Sequence, residues 1–266
     1  MNITGLSSRI KFLNLRNFFF LILIISSLIN FACSSGGSST VDDIDDPEKA
    51  YFVAKSLYDK QDYLDAVDEF TTIKLKFSGS SIIDKSLYYL GMSYYKREEY
   101  ILANYEFESL LRNYPSSNFY EDARYMLGMC YYGLSPDYKL DQTYTRYAIN
   151  EFQNYVELYP NGKYAAKSER RIEQLKTKLA LKEYKSAELY YNISKYKSAL
   201  VYYTHITEEF QDTEYADDAL YGVIKTLFIK KQYDETSEAI QKFEERYPTS
   251  SYLRNVLSIK NQIPKF

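Results

Sequence analysis

Large apolar residues and small residues follow one another along this chain in a pattern that returns five times. In each copy an aromatic residue ends one helical stretch, a short polar turn follows, and a second large apolar residue stands five places after the first. The clearest copy reads YPSSNFYEDA and starts at Tyr114. The five copies begin at Phe77, Tyr114, Tyr159, Phe210 and Tyr247. Because the internal spacing is constant, the pattern predicts a protein built from repeated units.

The segments between these turns predict two helices per unit. Phe77 to Tyr114 and Phe210 to Tyr247 each cover 37 residues, and the two middle intervals are longer by 8 and by 14 residues. In most units each helix has one small residue at a fixed position, which lets the paired helices approach closely. A large apolar residue stands four places after the small residue of the second helix. These three sets are Ala54, Gly91, Gly128, Ala187 and Ile224; Ala66, Ala103, Ala148, Ala199 and Thr236; and Phe70, Phe107, Phe152, Tyr203 and Ile240.

This arrangement of small and large residues resembles the tetratricopeptide repeat, whose helix pairs stack into a superhelix. The resemblance implies an all-α fold, a right-handed superhelix of five helix pairs with a C-terminal capping helix. Units one to three are expected in 47–163, and the long linking helix, units four and five and the cap in 164–266. Ile224 and Thr236 depart from the small-residue pattern, so the fifth unit fits the template least well.

The insertion before the fourth unit, between Tyr164 and Ala187, contains neither Gly nor Pro and favours helix throughout. Its 14 residues turn a helix by about 1400°, roughly 40° short of four full turns. The insertion therefore lengthens a helix without rotating its packing face. We predict one continuous helix over about 164–192.

The first residues resemble a bacterial lipoprotein leader. Three basic residues precede an apolar run over 18–29, and an Ala-Cys pair and a Gly/Ser-rich stretch follow. The run is too short for a bilayer span, which needs roughly 20 residues. We predict a signal peptide over 1–32, lipidation at Cys33, and a flexible linker through residue 46. The alternative is an ordinary secretory signal that leaves Cys33 as a free thiol.

Charge and composition argue against several functions. Removing the leader, with its three basic and no acidic residues, changes the net charge from −3 to −6, which argues against nucleic-acid binding. Cys130 is predicted to be a buried apolar residue and His205, the single histidine, a packed or surface residue. No phosphate loop, nucleophile motif or metal-ligand spacing occurs. We therefore expect no enzyme activity, no metal and no cofactor.

The stretch over 148–196, and above all LKTKLALKEYKSAELYY, is similar to the BamD family of outer-membrane lipoproteins. The resemblance implies residence at the periplasmic face of the outer membrane through a lipid anchor. It also implies two partners, unfolded outer-membrane proteins and a BamA-like barrel-inserting subunit, with the latter docked by the long helix and units four and five. The alternative is a periplasmic tetratricopeptide protein that coordinates constriction of the cell envelope.

Two aromatic positions recur in every first helix. The fifth is Tyr51, Tyr88, Tyr125, Tyr184 and Tyr221, and the twelfth is Tyr58, Tyr95, Tyr132, Tyr191 and Phe228. Seven residues make nearly two turns, so each pair lies on one stripe. The stripe either faces a binding groove or only packs on neighbouring helices. From the resemblance we predict a site for client peptides formed by Tyr58, Tyr88, Tyr95, Tyr125 and Tyr132, with Lys55 and Lys85 near the stripe.

Overall fold

The computed structural model describes residues 40–264, which form helices and contain no β-strand. A short 3-10 helix, Val41–Asp43, precedes the first unit. The α-helices are α1 (Pro47–Asp59), α2 (Tyr63–Lys76), α3 (Ile83–Lys96), α4 (Tyr100–Asn113), α5 (Tyr120–Leu134), α6 (Thr143–Leu158), α7 (Ala165–Asn192), α8 (Tyr196–Glu209), α9 (Ala216–Ile229), α10 (Tyr233–Arg246) and α11 (Leu253–Lys260). The all-α fold of five helix pairs and a terminal helix is thus confirmed.

The helices stack in chain order, each against the one before it. In addition α1 touches α3, so the first helices of units one and two lie side by side, and α9 touches the terminal helix α11. We call the surface that the first helices share the first-helix face. Among residues 40–264, no helix is both long and apolar enough to span a bilayer.

Local sequence explains where the helices begin and turn. Asp46 caps α1 by accepting hydrogen bonds from the backbone N–H of Glu48 and Lys49, and Pro47 occupies the first helical position. The paired helices of units one, two, four and five are joined through one residue in the left-handed region, with φ near 60°. These residues are Gln61, Glu98, Ser194 and Lys231.

The core is built from the small and large residues that define the repeat. A Cβ added to Gly91 would lie 2.8 Å from the Phe107 ring, and one added to Gly128 would lie 2.8 Å from the Phe152 ring. The fifth unit replaces this glycine and phenylalanine by Ile224 and Ile240, which are both buried. The fifth unit thus forms its core without the close glycine–phenylalanine contact of units two and three.

The long helix α7 has 28 residues, close to the predicted bounds of 164–192. It packs on α6 before it and on α8 after it, and buries Leu175, Leu179 and Ala187 along its length. The insertion has therefore extended the packing face without turning it away from the core.

Candidate functional site

The predicted peptide-binding tyrosines lie on the first-helix face and are packed through their rings. At the fifth position, Tyr88 stacks on Phe119 with ring centroids 4.7 Å apart, and Tyr125 stacks on Tyr164 at 4.1 Å. In both cases the partner ring comes from the turn that leads into the next unit. The position-five rings therefore join consecutive units, and each has one face covered.

At the twelfth position each ring packs against a ring of its own unit, and Tyr58 also meets Tyr89 of the next unit edge-on at 5.1 Å. Tyr58 meets Tyr63 edge-on at 5.5 Å, and Tyr95 meets Tyr100 in the same way at 5.4 Å. Both partner residues open the second helix of the pair. The rings of Tyr58 and Tyr95 are half-buried. In both units the two paired tyrosines occupy the same positions of the repeat.

Tyr132 departs from this arrangement because the eight-residue insertion displaces the second helix of its unit. Its ring lies 4.3 Å from the Arg171 guanidinium carbon, and Arg171 Nη1 donates a hydrogen bond of 3.0 Å to the Tyr132 hydroxyl. The same Nη1 donates to Gln174 Oε1 at 2.9 Å. Tyr132 therefore connects unit three to α7 through a charged side chain.

Burial keeps these phenols protonated. Desolvation raises the pKa of Tyr58 and that of Tyr95 from 10.0 to about 12 in each case. The pKa of Tyr125 is also raised by burial, against the opposing effect of Arg171 and Arg170. At neutral pH the hydroxyls are therefore neutral groups that can both donate and accept hydrogen bonds.

Both predicted lysines already have carboxylate partners. Lys55 pairs with Asp59, and its Nζ lies 4.6 Å from the centre of the Tyr89 ring. Lys85 pairs with Glu48 at 2.9 Å and lies 4.4 Å from the centre of the Tyr51 ring. Their charge is balanced within the fold, so any attraction they exert on an anion is reduced.

Other cations, which the sequence reasoning did not single out, lie beside the predicted site. Lys167, Arg170 and Arg171 project from the first turns of α7 and line a pocket of about 310 Å³ together with Tyr125 and Gln174. We call the three cations the α7 basic cluster. These cations and Gln174 are spaced three or four residues apart, which places them on one face of a helix. That spacing is visible in the sequence and could have identified the group.

Two further lysines of α7 hold the insertion of unit three. Lys178 Nζ donates to Ser135 Oγ and to the Pro136 carbonyl, and Lys182 Nζ donates to the carbonyls of Tyr138 and Leu140. Burial lowers the pKa of Lys178. The two insertions of the chain, 8 residues in unit three and 14 in α7, are therefore in direct contact.

The structure also places the cysteine and the histidine that the sequence analysis singled out. Cys130 is fully buried, which raises the pKa of its thiol. His205 Nδ1 lies 3.9 Å from Glu183 Oε2 on the neighbouring helix. No group of three or more metal-ligating side chains is found within this range. The predicted lipidation site, Cys33, lies outside the described residues.

With this geometry in place, comparison with known proteins is informative. The sequence model of the YfiO family, described as an outer membrane lipoprotein, matches residues 43–228, from just before α1 to the end of α9. This is well over half of the chain. The chain belongs to the YfiO family of outer-membrane lipoproteins. The resemblance to the BamD family noted in the sequence is thereby confirmed.

One curated relative of this YfiO-family chain is the outer membrane protein assembly factor BamD of Rickettsia prowazekii (strain Madrid E). It is 24% identical over 119 residues, which are 45% of this chain and 47% of the relative. The match thus spans about half the length of that protein.

Among solved structures, a TPR repeats protein of Bacteroides fragilis is 12% identical, with a TM-score of 0.48 over 83% of this chain and 100% of the other. The TPR2AB domain of yeast Sti1, in a complex with pHSP90, is 12% identical, with a TM-score of 0.43 over 82% of this chain and 98% of the other. At TM-scores below 0.5, neither likeness bears on function.

Proposed function

We propose that this protein is a lipid-anchored periplasmic scaffold for assembly of β-barrel proteins in the outer membrane. The observation that carries the proposal is the YfiO-family match over residues 43–228, which includes four complete helix pairs and the first helix of the fifth. The scaffold acts by binding, without catalysis or a cofactor. It brings unfolded barrel proteins and a BamA-like barrel-inserting subunit together.

Unfolded barrel proteins bind the first-helix face of units one to three in this proposal. The surface is formed by the edges and hydroxyls of Tyr58, Tyr88, Tyr95, Tyr125 and Tyr132, with Lys55 and Lys85 contributing as members of ion pairs. One face of Tyr88 and one of Tyr125 are already stacked, so the rings are held in place before a ligand arrives. Rings fixed in this way lose little side-chain entropy on binding. A few such contacts, each of modest energy, suit reversible capture.

The barrel-inserting subunit docks on α7 together with units four and five. Support for this part comes from the family and from the continuity of α7, which packs on both α6 and α8 and so holds the two halves of the stack at a fixed distance. A fragment that ends near Tyr159 removes α7 and everything after it. That fragment is expected to lose co-purification with the barrel-inserting subunit, and full retention would overturn the assignment.

A lipid on Cys33 anchors the scaffold, and the segment through residue 46 connects it to α1. Several acyl chains are needed for stable attachment, since one chain holds a membrane only marginally. Cys33→Ala should abolish acyl labelling and release the protein from membranes. Acyl labelling that persists in this variant would show that a residue other than Cys33 carries the lipid.

The proposed function is tested by affinity purification of the tagged, full-length protein from detergent-solubilised outer membranes. We expect the barrel-inserting subunit to co-purify in a fixed ratio. Recovery of envelope-constriction proteins in its place would favour the alternative, a periplasmic repeat protein that coordinates constriction. Recovery of neither group would contradict the scaffold role.

A further inference from the structure

A groove lies between α4 and α6, the second helices of units two and three. Tyr105 and Glu108 of α4, Tyr131 of α5, and Tyr144 and Tyr147 of α6 line a volume of about 300 Å³. We call it the α4–α6 groove. None of the residues of the proposed client surface lines it, and neither do α7 or units four and five. The groove is therefore separate from both docking surfaces of the proposed function.

The repeat itself does not require tyrosines at this place. The four tyrosine positions of the groove have counterparts wherever two second helices are neighbours in the stack. Between α2 and α4 only Tyr94 remains a tyrosine, between α6 and α8 only Tyr190, and between α8 and α10 none does. The other units stack without these rings, so the packing of the repeat alone does not account for four of them together.

The rings of the groove remain exposed although they support one another. Tyr131 meets Tyr147 edge-on with centroids 5.4 Å apart, and it stacks on Tyr144 at 6.3 Å. Tyr144 and Tyr147 are nevertheless 37% and 47% exposed, and Tyr105 on α4 is 59% exposed. A folded chain that leaves neighbouring aromatic rings in water marks an interaction site, because burying them against a partner is favourable.

The groove also carries a surplus of negative charge. Glu108 forms no ion pair within residues 40–264, and no Lys or Arg lines the groove. Burial raises the pKa of Tyr131; the Asn104 side chain opposes this effect, and the carboxylates of Glu108 and Glu151 raise the pKa further. Because Glu151 already pairs with Arg124, Glu108 is the unbalanced charge. The faces of the rings attract cations as well, so the groove is complementary to a cation.

The fold already uses this chemistry at the edge of the groove. Lys74 Nζ donates to both carboxylate oxygens of Glu106 at 2.8 Å, and it lies 5.1 Å from the centre of the Tyr105 ring. Within the described chain, no such cation lies over the three rings that α5 and α6 contribute to the groove. An Arg or Lys side chain from outside suits this place, since it combines an ion pair to Glu108 with contact to the rings.

A buried amide in the lining favours a peptide over a free cation. Asn104 is 7% exposed, and its Nδ2 is buried without a hydrogen-bond partner in residues 40–264. It lies close enough to the Tyr131 hydroxyl to affect its pKa, but not in the geometry of a hydrogen bond. A backbone carbonyl of a bound segment would satisfy this donor. Ile101 and Leu134, which also line the groove, offer apolar surface to a neighbouring side chain.

We propose that the α4–α6 groove binds a basic, partly apolar segment of a further partner protein through an Arg or Lys side chain. The cation lies against the rings of Tyr131, Tyr144 and Tyr147 and beside Glu108, and a backbone carbonyl of the segment accepts a hydrogen bond from Asn104. Since the groove belongs to neither docking surface of the proposed function, the scaffold can hold this partner while its other two surfaces are occupied.

The experiment measures, by anisotropy, the binding of a short fluorescent peptide to the full-length protein. The peptide has one arginine flanked by leucines, and its matched partner has citrulline, the uncharged isostere, in place of the arginine. We expect the arginine peptide to bind about tenfold or more tightly than the citrulline peptide. The double variant Tyr144→Leu/Tyr147→Leu should reduce this preference to less than about threefold. Glu108→Gln should weaken binding of the arginine peptide about threefold.

Glu157→Gln is the matched control, because Glu157 is an exposed carboxylate of α6 that does not line the groove. This variant should bind both peptides as the parent does. Circular dichroism and thermal unfolding of each variant verify that it is folded.

Equal affinity of the parent for the two peptides, or binding of neither, would overturn the proposal. So would an arginine preference that survives unchanged in the folded double variant. If Glu157→Gln weakened binding as much as Glu108→Gln, the attraction would come from the acidic surface as a whole and the groove would have no special role. Tyrosine-dependent binding to phosphatidylcholine vesicles, with no arginine-selective peptide binding, would make the groove a lipid headgroup site and contradict a protein partner.

Discussion

The ring of Tyr125 stacks on the ring of Tyr164, with centroids 4.1 Å apart and planes 11° from parallel. Tyr125 lies in the first helix of unit three, whereas Tyr164 closes the turn that leads into α7. The same contact between a position-five tyrosine and the next turn recurs in three other units, as Tyr88–Phe119, Tyr184–Tyr215 and Tyr221–Tyr252. Aromatic stacking between units is thus a structural element of this repeat stack.

Tyr125→Ala should therefore destabilise the whole stack. The variant loses a buried aromatic side chain and its stacking contact with Tyr164. We expect this loss to lower the free energy of unfolding by about 3 kcal/mol. Tyr105→Ala, at an exposed position on α4, is the control and should change it by less than about 1 kcal/mol. Urea unfolding, followed by circular dichroism, measures the free energy of unfolding of both variants. Equal losses in the two variants would show that the ring contact between units adds no stability.

Gly128 tests the close approach of the paired helices. Gly128→Ala places a Cβ 2.8 Å from two atoms of the Phe152 ring, which must move within a filled core. We expect a loss of about 1–3 kcal/mol in the free energy of unfolding. Gly79→Ala, where an added Cβ meets nothing within 4 Å, should be neutral or slightly stabilising. A neutral Gly128→Ala would contradict the role of small residues in this repeat.

The contact between the two insertions predicts a local change in protection. Lys178→Met with Lys182→Met removes the bonds that hold the carbonyls of the unit-three insertion, over residues 135–142. This loop should then be cleaved faster by protease, while the overall helix content stays the same. Lys185→Met is the control, because Lys185 bonds to Glu188 on its own helix and lies over the Tyr184 ring. Unchanged cleavage rates in the double variant would count against the contact.

Much of this fold follows from sequence spacing, because repeat contacts are local. The bounds of α7, the small residues at Gly91 and Gly128, and the large residues that meet them were all predictable from one register. The contacts of Arg171 with Tyr132 and of Lys182 with Tyr138 were not, because they join residues about 40 positions apart. Such contacts depend on how far one unit rotates on the next, and the periodicity of one helix does not contain that information.

Alkaline titration tests the burial of the tyrosine rings. Burial raises the pKa of Tyr58 and of Tyr95 from 10.0 to about 12 in the folded protein. Well below pH 10, these tyrosines are protonated in the folded protein and in the unfolded chain alike. Between pH 10 and 12 the unfolded chain loses protons that the folded protein retains, and stability must fall as the pH rises. Lys178 and Lys225, whose pKa values burial lowers, act in the opposite direction. They are outnumbered by the buried tyrosines, since burial also raises the pKa of Tyr51, Tyr88 and Tyr125.

The measurement is tyrosinate absorbance together with circular dichroism across this pH range. We expect part of the tyrosine titration to lag behind that of the urea-unfolded chain and to be completed only as the helices unfold. If every tyrosine titrated near pH 10 while the helix signal stayed constant, the burial of these hydroxyls would be contradicted.

The scaffold function is tested most directly by depleting the protein in its native host and measuring the folded fraction of outer-membrane β-barrel proteins. Folded barrels are distinguished from unfolded ones by their different gel mobility before and after heating. We predict that the folded fraction falls on depletion and is restored by the full-length chain but not by a chain that ends near Tyr159. An unchanged folded fraction in depleted cells that fail to constrict would contradict the assembly role and favour the constriction alternative.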